Sequence, residues 1–291
     1  MRLVRFGQRG KAKPGLWKDG KIVDLREIFP QIPDISEAFF RDGWLEKVAG
    51  VKNPGRKSEA RIASPIHRPS KIICLGKNYA EHAKEGGFEN PEKPLIFCKT
   101  PNALSGPYDP IILPKSSSQV DWEVELAVII AKQGKRINKK DAFDYVAGFT
   151  VMNDVSGREA QFSDSQWFRG KSFDSFAPTG PFIVTPDEID DVNNLRLTAV
   201  VDGEIMQDGN TMDMIFDIPA IIENISEDIT LIPGDIISTG TPAGVGIFRD
   251  PPVVLKPGNV VECYIEKIGT IINKVVNEQI VTPEVLQRSQ Y

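Results

Sequence analysis

Short apolar runs, each closed by glycine, proline or a polar turn, recur from Lys71 onward and constrain the fold more than any other feature. They lie at Ile72–Leu75, Leu95–Cys98, Ile111–Leu113, Val120–Ile130, Tyr145–Met152, Phe182–Val184, Leu197–Val201, Asp235–Ser238 and Val260–Ile265. Runs of this kind suit strands better than helices. Only Thr211–Ile225 keeps a helical period over its length, with Met214, Ile218, Ile221, Ile222 and Ile225 on one face. Many strands and few helices predict a β-rich α+β domain with a rolled or sandwiched sheet.

Residues 1–65 predict a small N-terminal α+β module. Leu3–Phe6 and Gly15–Trp17 read as strands, and Asp19-Gly20 as a hairpin turn. Pro33–Val48 has helical spacing through Ile35, Phe39, Phe40, Trp44, Leu45 and Val48. The polar stretch Lys52–Arg61 marks a boundary, and Pro65 and Pro69 punctuate the entry to a main domain over 70–275. Residues 276–291 are expected to trail along the surface or a subunit neighbour. With 291 residues the chain can build this arrangement.

The net charge of -5 and pI near 5.3 argue against nucleic acid or an anionic membrane as the main partner. Met1–Gly10 lacks the apolar core of a secretory signal, and the longest apolar runs are too short to cross a bilayer. Cys74, Cys98 and Cys263 lack metal-site spacing and suit a reducing compartment. A soluble, cytoplasmic protein is expected.

Val120–Ile130 alternates apolar and acidic residues and sets Glu123 and Glu125 two apart, on one face of a strand, with Asp121 a third candidate. Carboxylates held that close repel unless water or a cation intervenes. The pair is either a solvated strand face or two oxygen ligands of a hard metal ion. Asn153-Asp154-Val155-Ser156-Gly157-Arg158 ends another run at a polar turn, where Asp154 is a turn cap or a third carboxylate for Mg²⁺ or Mn²⁺.

His82 and Glu85 stand three apart on a short helical segment between Gly76 and Gly86-Gly87. They form an ordinary surface pair, or an oriented general base on a hinged lid. His67, in a proline-flanked linker, reads as a surface residue. Lys171 lies in a polar loop, either solvated or placed to neutralise an acidic substrate or developing enolate. Thr239–Gly246 offers amides and hydroxyls for a carboxylate, or simply terminates a strand; it lacks the Lys-Ser/Thr of a phosphate loop.

The ordered blocks Gly-Lys-Asn-Tyr-Ala-Glu-His (76–82), Asp-Trp-Glu-Val-Glu-Leu-Ala (121–127), Asn-Asp-Val-Ser-Gly-Arg (153–158), Gly-Lys-Ser-Phe-Asp (170–174) and Thr-Gly-Thr-Pro-Ala-Gly-Val-Gly (239–246) resemble the fumarylacetoacetate hydrolase family. The N-terminal module resembles that of bacterial members acting on 2,4-diketo-3-deoxy sugar acids, often labelled ureidoglycolate lyases. The resemblance implies a mixed β-sandwich roll of that family's C-terminal type, usually a homodimer. It implies Glu123, Glu125 and Asp154 as ligands of Mg²⁺ or Mn²⁺, and leaves Asp121 outside the set. His82 and Glu85 match the lid dyad that activates water, and Lys171 the lysine beside the metal. Arg158, Gln161 and Thr241, with Lys171, match substrate-contacting positions.

The implied reaction is hydrolysis of a carbon–carbon bond in a 2,4-diketo acid. Water activated by His82 attacks the C4 carbonyl, and pyruvate leaves as its enolate. The alternatives are oxaloacetate decarboxylation or another 2-keto acid lyase or isomerase reaction on the same metal site, and a non-catalytic module with a structural ion. Gln166, Trp167, Phe168 and Phe88 are candidate lining residues. Lys99, Asn102 and Ser105 would suit a hydroxylated, sugar-derived chain or an ordinary surface loop.

Overall fold

A computed structural model of the protein describes residues 1–278. Its main sheet runs in the order Lys21–Asp24, Lys13–Lys18, Arg2–Phe6, Ala177–Val184, Val146–Asn153, Val124–Ile130, Ile236–Ser238, Ile72–Gly76 and Leu95–Lys99. Neighbours on this path are antiparallel except Ile236–Ser238 beside Ile72–Gly76. A second sheet runs Glu204–Asn210, Arg196–Val201, Val260–Ile265, Gly269–Asn277 and Ile111–Leu113. Val146–Asn153 and Ala177–Val184 of the first sheet pack on Val260–Ile265 and Gly269–Asn277 of the second. The outcome is the mixed, sheet-rich α+β roll that the short apolar runs predict.

Burial follows from this layering. Val124–Ile130, Val146–Asn153 and Ala177–Val184 are buried along their whole length, because both sheet faces are covered. Gly269–Asn277 alternates buried and exposed residues, as a strand with one solvated face must. Leu126, Val128, Ile130, Val151 and Ile237 sit in the common core, and these strands carry the carboxylates described below.

The predicted N-terminal hairpin forms between Lys13–Lys18 and Lys21–Asp24, with Asp19 and Gly20 at positive φ (47° and 77°) in its turn. Arg2–Phe6 then pairs with Ala177–Val184, so the N-terminal strands extend the main sheet. The helix expected over Pro33–Val48 is two short ones, Glu37–Arg41 and Trp44–Ala49. Gly43, at φ 70°, breaks the chain between them. The helix expected over Thr211–Ile225 begins later, at Ile218, and runs to Asp228. Asp217 caps it by accepting from the Ala220 amide (2.9 Å), and Pro219 in the first turn needs no donor. Ile218, Ile221, Ile222 and Ile225 are buried as their spacing requires, but Met214 lies in the preceding turn.

The final strand continues through Asn277, past the expected start of the tail, and residues 279–291 lie outside the described residues. Among the described residues no helix is long and apolar enough to cross a membrane. Cys74 and Cys263 are buried, Cys98 is exposed, and all three are free thiols.

Arg61 ties the linker to the body by pairing with Asp109, which Arg9 also approaches at 3.1 Å. Burial pushes the Asp109 carboxyl up, but Arg61 and then Arg9 outweigh it, and its pKa falls below the ordinary value. A lowered carboxylate contributes stability above its unfolded pKa and loses it as pH falls through the folded value. Arg61→Ala is therefore expected to cost about 1–2 kcal/mol at neutral pH. Its acid unfolding, followed by circular dichroism, should begin at a higher pH than that of the parent.

Candidate metal centre and active-site cleft

The continuous strand expected over Val120–Ile130 is interrupted at Trp122 and Glu123. Three contacts draw the backbone out of the ladder there. The Glu123 amide donates to Asn153 Oδ1 (3.0 Å), the Asp154 amide donates to the Glu123 carbonyl (2.9 Å), and the Val124 amide donates to Gln207 Oε1 (3.0 Å). Glu123 and Glu125 therefore do not share a regular strand face. Even so, carboxylate oxygens of Glu123, Glu125 and Asp154 all lie within 4.8 Å of one another, and all three residues are buried. Asp121 is turned elsewhere. Its two oxygens accept from Arg158 Nε (2.7 Å) and the Ile247 amide (2.8 Å).

Buried cations surround the three carboxylates. Lys171 Nζ donates to Glu123 Oε2 (2.7 Å) and Asp154 Oδ2 (2.9 Å), and Arg158 Nη2 donates to Glu123 Oε1 (2.7 Å). Burial alone would raise the Glu123 pKa, but Lys171 and Arg158 hold it well below the carboxylate range. Burial would also neutralise Lys171, yet Asp154 and Glu123 keep it protonated. Glu125 has no such partner. Burial, then the charges of Asp154 and Glu123, push its carboxyl well above the ordinary value.

Whether a divalent ion fits is decided at Glu125. Its Oε2 accepts from Ser238 Oγ and the Gly240 amide, whereas Oε1 is buried without a hydrogen-bond partner. A buried unpartnered oxygen is costly, and it belongs to a trio of hard oxygen donors with no nitrogen or sulfur among them. Four buried carboxylates here face three cations, Lys99, Arg158 and Lys171. Geometry and charge both fit a divalent metal ion held by Glu123, Glu125 and Asp154.

The sequence left Lys99 either in a surface loop or facing a hydroxylated substrate chain, and the structure supports neither. Lys99 is buried and its Nζ donates to Asp154 Oδ1 and to the Val155 carbonyl. A lysine closing an otherwise apolar run, Leu95–Lys99, was the available signal. Lys99→Met is expected to cost about 3 kcal/mol, because it strips one partner from a buried carboxylate; urea denaturation checks this. Asn102 and Ser105 do not reach the carboxylates and line a separate cavity.

The other expected site residues converge on one cleft. His82, Glu123, Glu125, Arg158, Gln161, Lys171 and Thr241 line it, with Phe88, Phe97, Trp167 and Phe248 as apolar walls. Gln166 and Phe168 are not among its walls, and Phe168 is half exposed. Gln161 Oε1 accepts from Arg158 Nη1 (2.9 Å). The Thr241 hydroxyl donates to the Val124 carbonyl (2.8 Å) and accepts from Gln207 Nε2 (2.8 Å), which leaves it one lone pair.

Glu85 lies outside the lining but positions His82. The helix Ala80–Glu85 brings His82 Nδ1 to 2.8 Å from Glu85 Oε1. A carboxylate only accepts, so Nδ1 carries the proton and Nε2 remains the basic nitrogen. Glu85 Oε2 accepts in turn from the Gly244 amide (2.8 Å), which pins the helix to the glycine-rich loop. Gly244 has φ 104°, and a Cβ there would stand 2.1 Å from the Met206 carbonyl oxygen, so the loop requires glycine.

Known proteins are similar to this chain in sequence and fold. Mitochondrial oxaloacetate tautomerase FAHD2A of Bos taurus is 46% identical over 288 residues, covering 95% of this chain and 92% of that protein. Its Homo sapiens counterpart is 43% identical over the same shares. A solved structure named as an HpcE protein from Mycobacterium smegmatis matches with a TM-score of 0.88 at 34% identity, covering 96% of this chain and all of that one. Maleylpyruvate hydrolase from Sphingobium sp. SYK-6, solved with manganese(II) and pyruvate, matches with a TM-score of 0.78 at 30% identity, over 95% and 99% of the two chains. The model of the fumarylacetoacetate (FAA) hydrolase C-terminal domain matches residues 71–276, and the chain belongs to the fumarylacetoacetate hydrolase family.

Proposed function

We propose that the protein is a divalent-metal-dependent enzyme that interconverts the enol and keto forms of oxaloacetate or a closely similar 2-oxo dicarboxylic acid. One observation carries the reading: Glu123 and Glu125, clustered with Asp154 and with Glu125 Oε1 unpartnered, line a cleft together with the Glu85-oriented His82. Support for the substrate comes from relatives named as oxaloacetate tautomerases. That support favours the isomerase alternative, with diketo-acid hydrolysis as the second reading.

Glu123, Glu125 and Asp154 would hold Mg²⁺ or Mn²⁺, which when bound polarises the 2-oxo oxygen and stabilises negative charge developing there. Lys171 and Arg158 supply fixed positive charge beside that oxygen and the substrate's carboxylates. Ketonisation moves one proton from the C2 enol oxygen to C3, so no atom is gained or lost. His82 Nε2 takes the enol proton and returns it to C3, and Glu85 stabilises the imidazolium between the two transfers. Phe88, Phe97, Trp167 and Phe248 exclude water around the charges.

The cleft encloses only about 30 Å³, about one water's worth of space. In this reading the lid helix opens at the Glu85–Gly244 contact to admit a four-carbon dicarboxylate, with Gly86 and Gly87 next to the helix as the hinge. Hydrolysis remains the second reading because the same His82 nitrogen could activate water. We further propose a homodimer. The compartment in the relatives' names is mitochondrial, whereas the sequence suggested the cytoplasm.

The test is an assay of metal-stripped protein on enol-oxaloacetate, keto-oxaloacetate and acylpyruvates, each with Mg²⁺, Mn²⁺ or chelator. Accelerated ketonisation that needs metal is expected. Acylpyruvate cleavage without ketonisation would transfer the assignment to the hydrolase, and activity surviving complete chelation would remove the metal from both.

A further inference from the structure

A second cavity lies away from the carboxylates and shares none of the cleft's lining residues. It encloses about 810 Å³ among the N-terminal strands, the linker around Arg61–Arg68, and the segments 101–112 and 174–175. Its lining includes Arg5, Arg9, Lys11, Arg26 and Arg61 against Asp34, Asp109 and Asp174. Those aspartates are engaged. Arg5 grips Asp34 with Nε (2.7 Å) and Nη2 (2.6 Å), Arg61 Nε donates to Asp109 (2.8 Å), and Asn102 Nδ2 donates to Asp174 (2.7 Å).

A second observation is independent of charge. Ser64 is buried in this wall, its carbonyl accepts from Arg5 Nη1 (2.9 Å), and its Oγ has no hydrogen-bond partner. A buried hydroxyl is ordinarily satisfied, so this one leaves unmet hydrogen-bonding capacity in the residue that lines the cavity.

We infer that this cavity is a second ligand site, walled by Arg5, Arg9, Lys11, Arg26, Arg61 and Ser64, for a small anion of several charges. The ligand carries phosphate groups or several carboxylates. Guanidinium forks match the planar edges of either group, and a hydroxyl completes the donor set. A polyanion offsets the excess of these five cations over the three aspartates more fully than a single carboxylate does. The chain links the site to the chemistry. Pro101–Ser105 begins two residues after Lys99, and Asp174 and Ser175 follow Lys171 by three and four residues.

The test is calorimetric titration of metal-stripped protein with pyrophosphate and, separately, citrate at constant ionic strength. The parent is compared with Lys11→Glu/Arg26→Glu, Ser64→Ala and, as a control in the other cleft, Arg158→Ala. One site per chain is expected, with affinity falling at least tenfold in the charge reversal and severalfold in Ser64→Ala, and unchanged in Arg158→Ala. Preference for pyrophosphate or for citrate identifies the ligand as phosphate-bearing or polycarboxylate, and either supports the site. Equal binding by the charge reversal, loss of binding in Arg158→Ala alone, or full displacement by chloride at matched ionic strength would overturn it. So would a change in sedimentation of the charge reversal with no anion bound by the parent, which would make this face a contact between copies of the chain.

Discussion

Glu125→Gln is expected to cut kcat/KM for metal-dependent ketonisation about 10³-fold, about 4 kcal/mol of transition-state stabilisation, while the metal-free protein stays at least as stable as the parent. The two outcomes have one cause. Glu125 sits buried beside Asp154 and Glu123, whose charges oppose its ionisation, and its Oε1 has no partner. The amide keeps the shape, retains an oxygen for the Gly240 amide, and removes a like charge that the metal-free fold must otherwise accommodate. What it removes is a hard anionic ligand. The check is melting temperature with chelator and with Mn²⁺. A ligand at a hundredfold its Kd stabilises the parent by about 2.7 kcal/mol, and the variant should gain little. A variant with both the full Mn²⁺-dependent rise and full turnover would take Glu125 out of the metal set.

His82→Asn is expected to lower kcat for ketonisation by about 10²- to 10³-fold with little change in metal affinity. Asparagine can still reach Glu85 but has no nitrogen that takes and returns a proton. Decarboxylation of oxaloacetate moves no proton in its bond-breaking step, so it should survive in the same variant, whereas diketo-acid hydrolysis should fall with ketonisation. Glu85→Gln is a milder change, about tenfold, because its amide oxygen can still accept from His82 Nδ1. Initial rates on the three substrates at saturating Mn²⁺ give the comparison. Unimpaired ketonisation by His82→Asn would assign the C3 proton to another group.

Local features of the chain were legible where a residue's neighbours in sequence are also its neighbours in space. The Asp19-Gly20 turn, the buried faces of Phe39, Phe40, Trp44 and Val48, and the pairing of His82 with Glu85 depend on spacings of a few residues. Helix limits were less legible. Gly43 split one predicted helix, and the Asp217 cap set the start of another, since a single backbone requirement can override a favourable apolar period. The break at Trp122–Glu123 could not be foreseen from alternation, because its causes are Asn153 and Gln207 on distant strands.

The sequence by itself determined the strand-rich class, the carboxylates at Glu123, Glu125 and Asp154, and the histidine–glutamate pair on its short helix. Residue chemistry and short periodicities are properties of the chain. Only the tertiary structure decided what those groups face. Lys99 meets Asp154 across 55 residues of sequence, Arg158 draws Asp121 away across 37, and Lys171 reaches Glu123 across 48. Each pairing is enforced by burial, where a charge without a partner is far costlier than in water, and burial is decided only when the two sheets pack.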